Sequence, residues 1–361
     1  MTSSAVRRFV DIFKRRKNMK LKWGIIGCGG IADRRTLPGM MLSETSECFA
    51  VMDANLAAAE SCKEKYGAKF ATTDYNEILA MPEVDAVYIA SPVFCHKEQA
   101  LAAAKAKKHI LLEKPLGLST EESLEIIEAC DREGVKLGVG FMMRFHAYHQ
   151  AIKEVIAKGT IGDIVSMRAQ FTCWYPDIPG AWRQTKKLGG GGAFVDLGVH
   201  CIDLLQYLSG LNAVEVKGFS ATQTFAYEVD DSTSCVMKMN NGAMALVDVN
   251  FNIPDSAANN PLEFYGTKGS IIAVGTLGQE EGGSVKILAC PENAGYDAKQ
   301  SRSVVEPIEL KVEFGNMYTK EIDAFALSVI NDTEPPVNGK NTLIVQKIID
   351  AVYNNGGGII N

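Results

Sequence analysis

Residues 27–32 read Gly-Cys-Gly-Gly-Ile-Ala, which sets Gly27, Gly29 and Ala32 in the spacing G-x-G-x-x-A. Glycine at the first position permits a tight turn. Glycine at the second lets the backbone approach a ligand, and a small third residue lets the following helix pack closely on the preceding strand. The free amides at that helix start bind an anion such as a pyrophosphate. Asp53 ends a second apolar run, Cys48 to Met52, about 20 residues beyond the glycines, where a carboxylate accepts from both hydroxyls of a ribose. Together these features read as a dinucleotide site. A carboxylate there repels a 2′-phosphate, and Ala54 and Asn55 offer no cation to bind one, so NAD is favoured over NADP. Capping of the next helix is the other use open to Asp53.

Two further clusters carry groups able to move a proton. Glu113-Lys114-Pro115 closes the apolar run from His109, at the sheet edge where ligands of open α/β folds bind. Pro115 pushes Lys114 into an extended conformation and is a candidate for a cis bond. The second cluster is Gly189 to Gly192 followed by Ala-Phe-Val-Asp-Leu-Gly-Val-His, residues 193–200. A helix from Ala193 to Leu208 puts Asp196 and His200 on one face. Four glycines ahead of it allow close approach of backbone to a ligand. The plainer reading is a helix-stabilising Asp–His pair behind a flexible loop, with Asp203 bracing His200 or the helix. His200, with an ordinary pKa of ~6.5, is the first choice as acid/base. Lys114 would stabilise developing alkoxide charge, with the two roles exchangeable.

These groups must be held by alternating strands and helices. Strands are expected near 22–27, 47–52, 84–90, 109–113 and 136–140, with helices over 55–66, 95–107 and 119–133 between them, the last opening on a Ser119 cap. Such alternation gives a doubly wound parallel sheet of Rossmann type. After about Arg144 a helix (148–158) is followed by β-rich runs at 165–174, 232–239, 243–251 and 271–274. Helices near 317–330 and 341–353 complete the chain, an α+β domain with a large, mainly antiparallel open sheet. The expected division is 1–19 a basic extension, 20–143 the dinucleotide-binding domain, and 144–361 the substrate-binding and oligomerisation domain. His146 and His149 are expected at the surface. Trp174, Tyr175 and Trp182 either stack on a sugar face or pack between domains.

The chain has 361 residues, is 47% hydrophobic and carries a formal charge of −6. Residues 1–22 hold eight Lys or Arg against one Asp, so the body is acidic and a nucleic-acid partner is disfavoured. The basic head reads as an extension ahead of a core starting at Met19, against a surface-binding helix or an organellar presequence. The nine cysteines include no C-x-x-C, which suits reduced thiols in a cytoplasm. No apolar run approaches the ~20 residues of a membrane span. The histidines do not pair with carboxylates or thiols as a metal site, and none is expected.

The glycine turn, Ala90-Ser91-Pro92 with His96, Glu113-Lys114-Pro115, Ala181-Trp182-Arg183, the run from Gly190 to Leu205 and the Gly266-Thr267-Lys268-Gly269 turn together resemble the Gfo/Idh/MocA family of nicotinamide-dependent sugar and cyclitol oxidoreductases. The resemblance spans residues 20 to 353. It implies hydride transfer between NAD(H) and a secondary alcohol or carbonyl carbon of a sugar, sugar derivative or cyclitol, in a homodimer or homotetramer. By position, Lys114, Asp196 and His200 resemble the family's catalytic trio. Gly27, Gly29, Ile31, Asp53, Ser91 and Glu113 resemble its cofactor shell, and Trp182 and Arg183 its substrate loop. Met142 and Met143 depart from the Asn or Arg common there. Two rival activities of related proteins are an NAD-dependent glycosidase that recycles its cofactor and a non-catalytic cofactor or sugar sensor.

Overall fold

The computed structural model describes residues 20–290, 298 and 305–360, and the basic head lies outside the described residues. Six strands, β1 (Leu21–Ile26), β2 (Ser46–Met52), β3 (Phe70–Thr72), β4 (Ala86–Ile89), β5 (His109–Glu113) and β6 (Leu137–Gly140), form a parallel sheet in the order β3-β2-β1-β4-β5-β6. Helices α1 (Leu56–Tyr66), α2 (His96–Lys105) and α3 (Thr120–Glu133) lie between them. Strand β4 is buried along its whole length, as a strand covered on both faces must be. Local chemistry sets the helix ends: the Asn55 side chain accepts from Ala57 N–H at 3.0 Å and the Ser119 side chain from Glu122 N–H at 3.3 Å. Asn55, not Asp53, is therefore the cap of α1. The strand order reverses between β1 and β4, which opens a crevice at the carboxyl ends of these strands.

The second sheet has nine strands: β7 (Ile164–Thr172), β8 (Ala213–Ala221), β9 (Ser232–Met239), β10 (Met244–Asn250), β11 (Pro261–Gly266), β12 (Gly269–Val274), β13 (Ser284–Ala289), β14 (Ile308–Glu309) and β15 (Gly357–Ile359). Every neighbouring pair is antiparallel except β7 and β10, which run parallel. Four more helices follow the same chain order, α4 (Ala147–Ala157), α5 (Val199–Ser209), α6 (Met317–Asn331) and α7 (Gly339–Asn355). Helix α5 packs between α4, α7 and the inner face of β7. The outer face carries exposed Phe219, Val236, Met244 and Leu246.

Helix α6 returns to the first sheet, where Phe325 meets Trp23 with ring centroids 5.3 Å apart and Ile322 and Ala326 share a core with Ile25 and Leu37. Truncating such an aromatic anchor costs about 3–5 kcal/mol. The sequence showed no apolar run approaching a membrane span, yet the segment Lys186–Ser209 is long and apolar enough to cross a membrane by length and composition; its most apolar part is mostly buried within the protein. His146 and His149, expected at the surface, are fully buried. Their rings lie 4.7 Å apart under the loop before β13, where Thr276 meets His149 Nε2 at 3.2 Å.

Candidate active site

The glycine turn joins β1 to a short π-helical segment, Ala32–Thr36. Gly27 has φ +99°, and a Cβ there would meet Ser91 N at 2.8 Å, so the next crossover forbids a side chain. Gly29 has an ordinary φ and nothing within 4 Å of a Cβ position. The protein's own packing places nothing against a side chain at 29, so the bare backbone there faces open space in which a ligand could approach it. Asp53 Oδ2 accepts from Cys28 N–H and Oδ1 from Asn55 N–H, both at 2.9 Å, so the carboxylate is fixed beside the turn. These features fit a dinucleotide, with the turn toward its pyrophosphate and Asp53 toward a ribose.

A cleft of about 350 Å³ begins at Gly30 and Ile31 and runs between the two domains. Ser91, Glu113, Lys114, Trp182, Arg183, Asp196 and His200 all line it. Ser91 is tied to α2, its Oγ donating to Gln99 Oε1 at 2.6 Å. Buried His96 sits 3.0 Å from Ser91 O and 2.9 Å from Pro115 O, joining the loops after β4 and β5. The Lys114–Pro115 bond is cis. Tyr88 donates to Glu113 Oε1 at 2.5 Å and lies 2.8 Å from Thr36 Oγ1. Burial pushes the Glu113 carboxyl up against the opposing pull of Tyr88 and Lys114. Beyond it, Glu321 is buried with Oε1 unpartnered, and burial followed by the Glu113 charge pushes its carboxyl well up.

Lys114 Nζ donates to both the Oδ1 and the backbone O of Asp196 at 2.8 Å. Arg183 Nε lies 4.0 Å from the same Oδ1 and its guanidinium stacks 4.3 Å from the Trp182 ring centroid. Burial opposes the Asp196 charge, but Lys114 and then Arg183 outweigh it and hold the carboxyl well below its usual range. His200 is 4% exposed, flanked edge-on by Phe141 and Phe171, and its Nδ1 has no partner among the described residues. Burial, and next the Lys114 charge, hold the imidazole well below its ordinary pKa. That apolar setting differs from the solvent-like one in which an imidazole titrates at ~6.5.

Three expectations change. The helix carrying Asp196 and His200 begins as a π-turn, Phe194–Gly198, before α5, though both residues still reach one cleft. The glycines at 189–192 make room for the protein's own groups: a Cβ at Gly189 would meet Arg183 O at 2.9 Å, one at Gly191 Tyr353 Oη at 2.2 Å and one at Gly192 Asp230 O at 1.9 Å. Asp203 pairs with buried Arg144 at 2.5 and 2.9 Å, not with His200. Of the aromatic candidates, Tyr175 and Trp182 line the cleft, while Trp174 packs on Phe225. Sequence reasoning missed Phe171 and Phe251, which wall the cleft at the ends of the parallel β7–β10 pair. It also missed Arg34, which follows the glycine turn in the segment Ala32–Thr36, and Gln279, which the loop before β13 brings in. Among the described residues no three His, Cys, Asp or Glu groups are placed to hold a metal ion.

A dinucleotide turn opening onto a half-buried Lys–Asp pair and a buried histidine defines an oxidoreductase of Rossmann type. Residues 21–141 match the oxidoreductase family with an NAD-binding Rossmann fold, and residues 149–272 match the GFO/IDH/MocA C-terminal domain. The chain belongs to the GFO/IDH/MocA oxidoreductase family. It is 27% identical over 321 residues to 1,5-anhydro-D-fructose reductase of Ensifer adhaerens, covering 89% of this chain and 91% of the relative. An uncharacterized oxidoreductase of Bacillus subtilis is 32% identical over 260 residues, 69% of this chain and 72% of the relative. The solved structure of a levoglucosan dehydrogenase in complex with NADH and levoglucosan superposes with TM-score 0.81 at 25% identity, covering 95% of this chain and all (100%) of that one.

Proposed function

We propose that this enzyme transfers a hydride between NAD(H) and a secondary alcohol or carbonyl carbon of a cyclic sugar, sugar derivative or cyclitol. The observation that carries the reading is the single cleft in which Ile31 of the dinucleotide turn, Lys114, Asp196 and His200 converge. A bound nicotinamide supplies or accepts the hydride; the chain must hold the carbinol and manage one proton. Lys114, fixed by two bonds to Asp196, presents a cation to the reacting oxygen and stabilises negative charge there in a partly dry site. It is also the group that carries a proton to that oxygen during reduction and takes it back during oxidation. His200, whose pKa burial holds well below its ordinary value, accepts a hydrogen bond from a substrate hydroxyl and orients the ring. Tyr175 and Trp182 offer apolar faces, with Arg183 beside them for hydroxyls or a carbonyl.

Asp53, with no cation in the two residues after it, favours NAD over NADP. The exposed Phe219, Val236 and Leu246 on the outer sheet face support a homodimer or homotetramer formed there, and nine unpaired cysteines support a reducing, cytoplasmic setting. The test is an absorbance screen of levoglucosan, 1,5-anhydro-D-fructose, free aldoses and cyclitols with NAD, NADH and their 2′-phosphorylated forms. Net change in reduced nicotinamide with a cyclic sugar is the expected result. Glycoside hydrolysis without that change would replace the reading with the cofactor-recycling one, and ligand binding without turnover would replace it with a sensor.

A further inference from the structure

The π-turn that carries Asp196 has no side-chain cap of its own, yet the first amides of a buried helix must find acceptors. One distant residue supplies them. Asp230 Oδ1 accepts from Gly192 N–H at 2.8 Å, its Oδ2 from Phe194 N–H at 2.9 Å, and its backbone O from Ala193 N–H at 2.9 Å. Three consecutive amides are thus held by residue 230, which lies in the loop before β9. The carboxylate is itself held by Thr233 Oγ1 at 2.8 Å and Tyr353 Oη at 2.6 Å. The approach is so close that a Cβ at 192 would meet the Asp230 backbone at 1.9 Å, and one at 191 would meet the Tyr353 hydroxyl at 2.2 Å.

We infer that Asp230, backed by Tyr353, is a positioning residue that sets where Asp196 holds the Lys114 ammonium. The chain of contacts is short. Asp196 N–H bonds to Gly192 O at 3.0 Å, one turn from the clamped amides, and Lys114 Nζ is anchored on the backbone O of Asp196 as well as on its carboxylate. A shift of the π-turn therefore moves both anchors of Lys114 together. Neither Asp230 nor Tyr353 lines the catalytic cleft, so their effect on catalysis passes through Asp196. Both chains of the double hold converge from separate parts of the fold, Asp230 from the sheet and Tyr353 from α7. The helix N-terminus also favours the buried carboxylate electrostatically.

This inference rests on the hydride-transfer reading, and the experiment separates the two. Asp230→Asn places an amide donor among four donors and breaks the clamp; Tyr353→Phe removes one of them and leaves the carboxylate. Hydrogen exchange on the protein without cofactor should speed up about tenfold or more at Gly192, Ala193 and Phe194 in Asp230→Asn, with β1 and β4 unchanged. With the substrate found in the screen, kcat per NADH-binding site should fall on the order of 10²-fold, the cost of about 1 Å of misplacement, while KM and the NADH Kd hold. Tyr353→Phe should show the same pattern at smaller amplitude, and it decides the matter if Asp230→Asn does not fold. Unchanged exchange, or unchanged kcat per NADH-binding site in a folded variant, overturns the inference. Lys114→Ala assayed beside them tests the underlying reading: if it too is unimpaired, hydride transfer at this site is what has failed.

Discussion

Lys114 Nζ is bonded at 2.8 Å to two different acceptors of one residue, the carboxylate and the backbone carbonyl of Asp196, so a strand end of one domain and a helix start of the other share a single ion pair. Its side chains are 15% and 33% exposed, which keeps the pair open to a substrate oxygen on one side. The cleft exists only where the two domains meet. The geometry of the cleft is therefore tied to interdomain packing, in which α6 docks Phe325 on Trp23.

The proposed preference for NAD rests on Asp53. Wild-type kcat/KM should be higher with NAD than with NADP, and Asp53→Ser should narrow the gap, because the carboxylate that repels a 2′-phosphate is gone. A wild-type preference for NADP in the same steady-state assay contradicts the assignment.

Acid should destabilise the fold through its buried histidines. Burial first, opposed by the Ser91 and Pro115 carbonyls, holds His96 at about 4; burial lowers His146 to about 4, and burial followed by its neighbour His146 lowers His149 to about 3. In the unfolded chain each titrates near 6.5. The folded values are depressed, so the contribution is complete above about pH 6.5 and is lost as the pH falls toward the folded values, at about 1.4 kcal/mol per unit for each such group. Urea unfolding at stepped pH should show stability falling between pH 6.5 and 4, with a shallower slope in His149→Phe. A flat profile over that window contradicts the buried placement.

The Arg144–Asp203 pair has side chains only 8% and 2% exposed. Asp203→Ala leaves a buried guanidinium uncompensated and should cost about 3–5 kcal/mol in urea unfolding, whereas replacing both residues by apolar ones of similar volume should cost far less. Equal losses in the single and double variants would show that the pair is not the source of the effect.

The outer sheet face should hold a second copy. Light scattering across a concentration series is expected to report a dimer or tetramer, and Leu246→Glu, directly opposite Val236 in the β9–β10 register, should shift it toward monomer. A wild-type monomer at the highest concentration contradicts this.

What the sequence disclosed was whatever is encoded locally. The glycine turn, Asp53 and Ser119 act within a few residues or one βα unit, so strand, turn and cap could be read from composition and spacing. The Lys114–Asp196 bond joins residues 82 apart, and nothing in either segment states the partner. The run at 189–192 shows the same limit: the glycines were visible, but their cause, Tyr353 and Asp230, lies far along the chain. The histidines misled for a related reason. His146 and His149 look polar in sequence, and groups distant in the chain, the loop bearing Thr276 and Phe314, cover them. Strand β3, three residues long, is too short to show any alternation, and the β7–β10 parallel pairing that walls the cleft with Phe171 follows from sheet order alone.

The most direct test of the central claim is the turnover of Lys114→Ala with the substrate identified in the screen, measured beside NADH binding by fluorescence. The account predicts a kcat lower by roughly 10²–10⁴-fold, as for a positioned proton donor and electrostatic group, with the NADH Kd nearly unchanged. Adding His200→Ala should cost much less than the product of the separate losses, because both groups act on one substrate. A Lys114→Ala enzyme that binds NADH normally and retains near wild-type kcat would contradict the account.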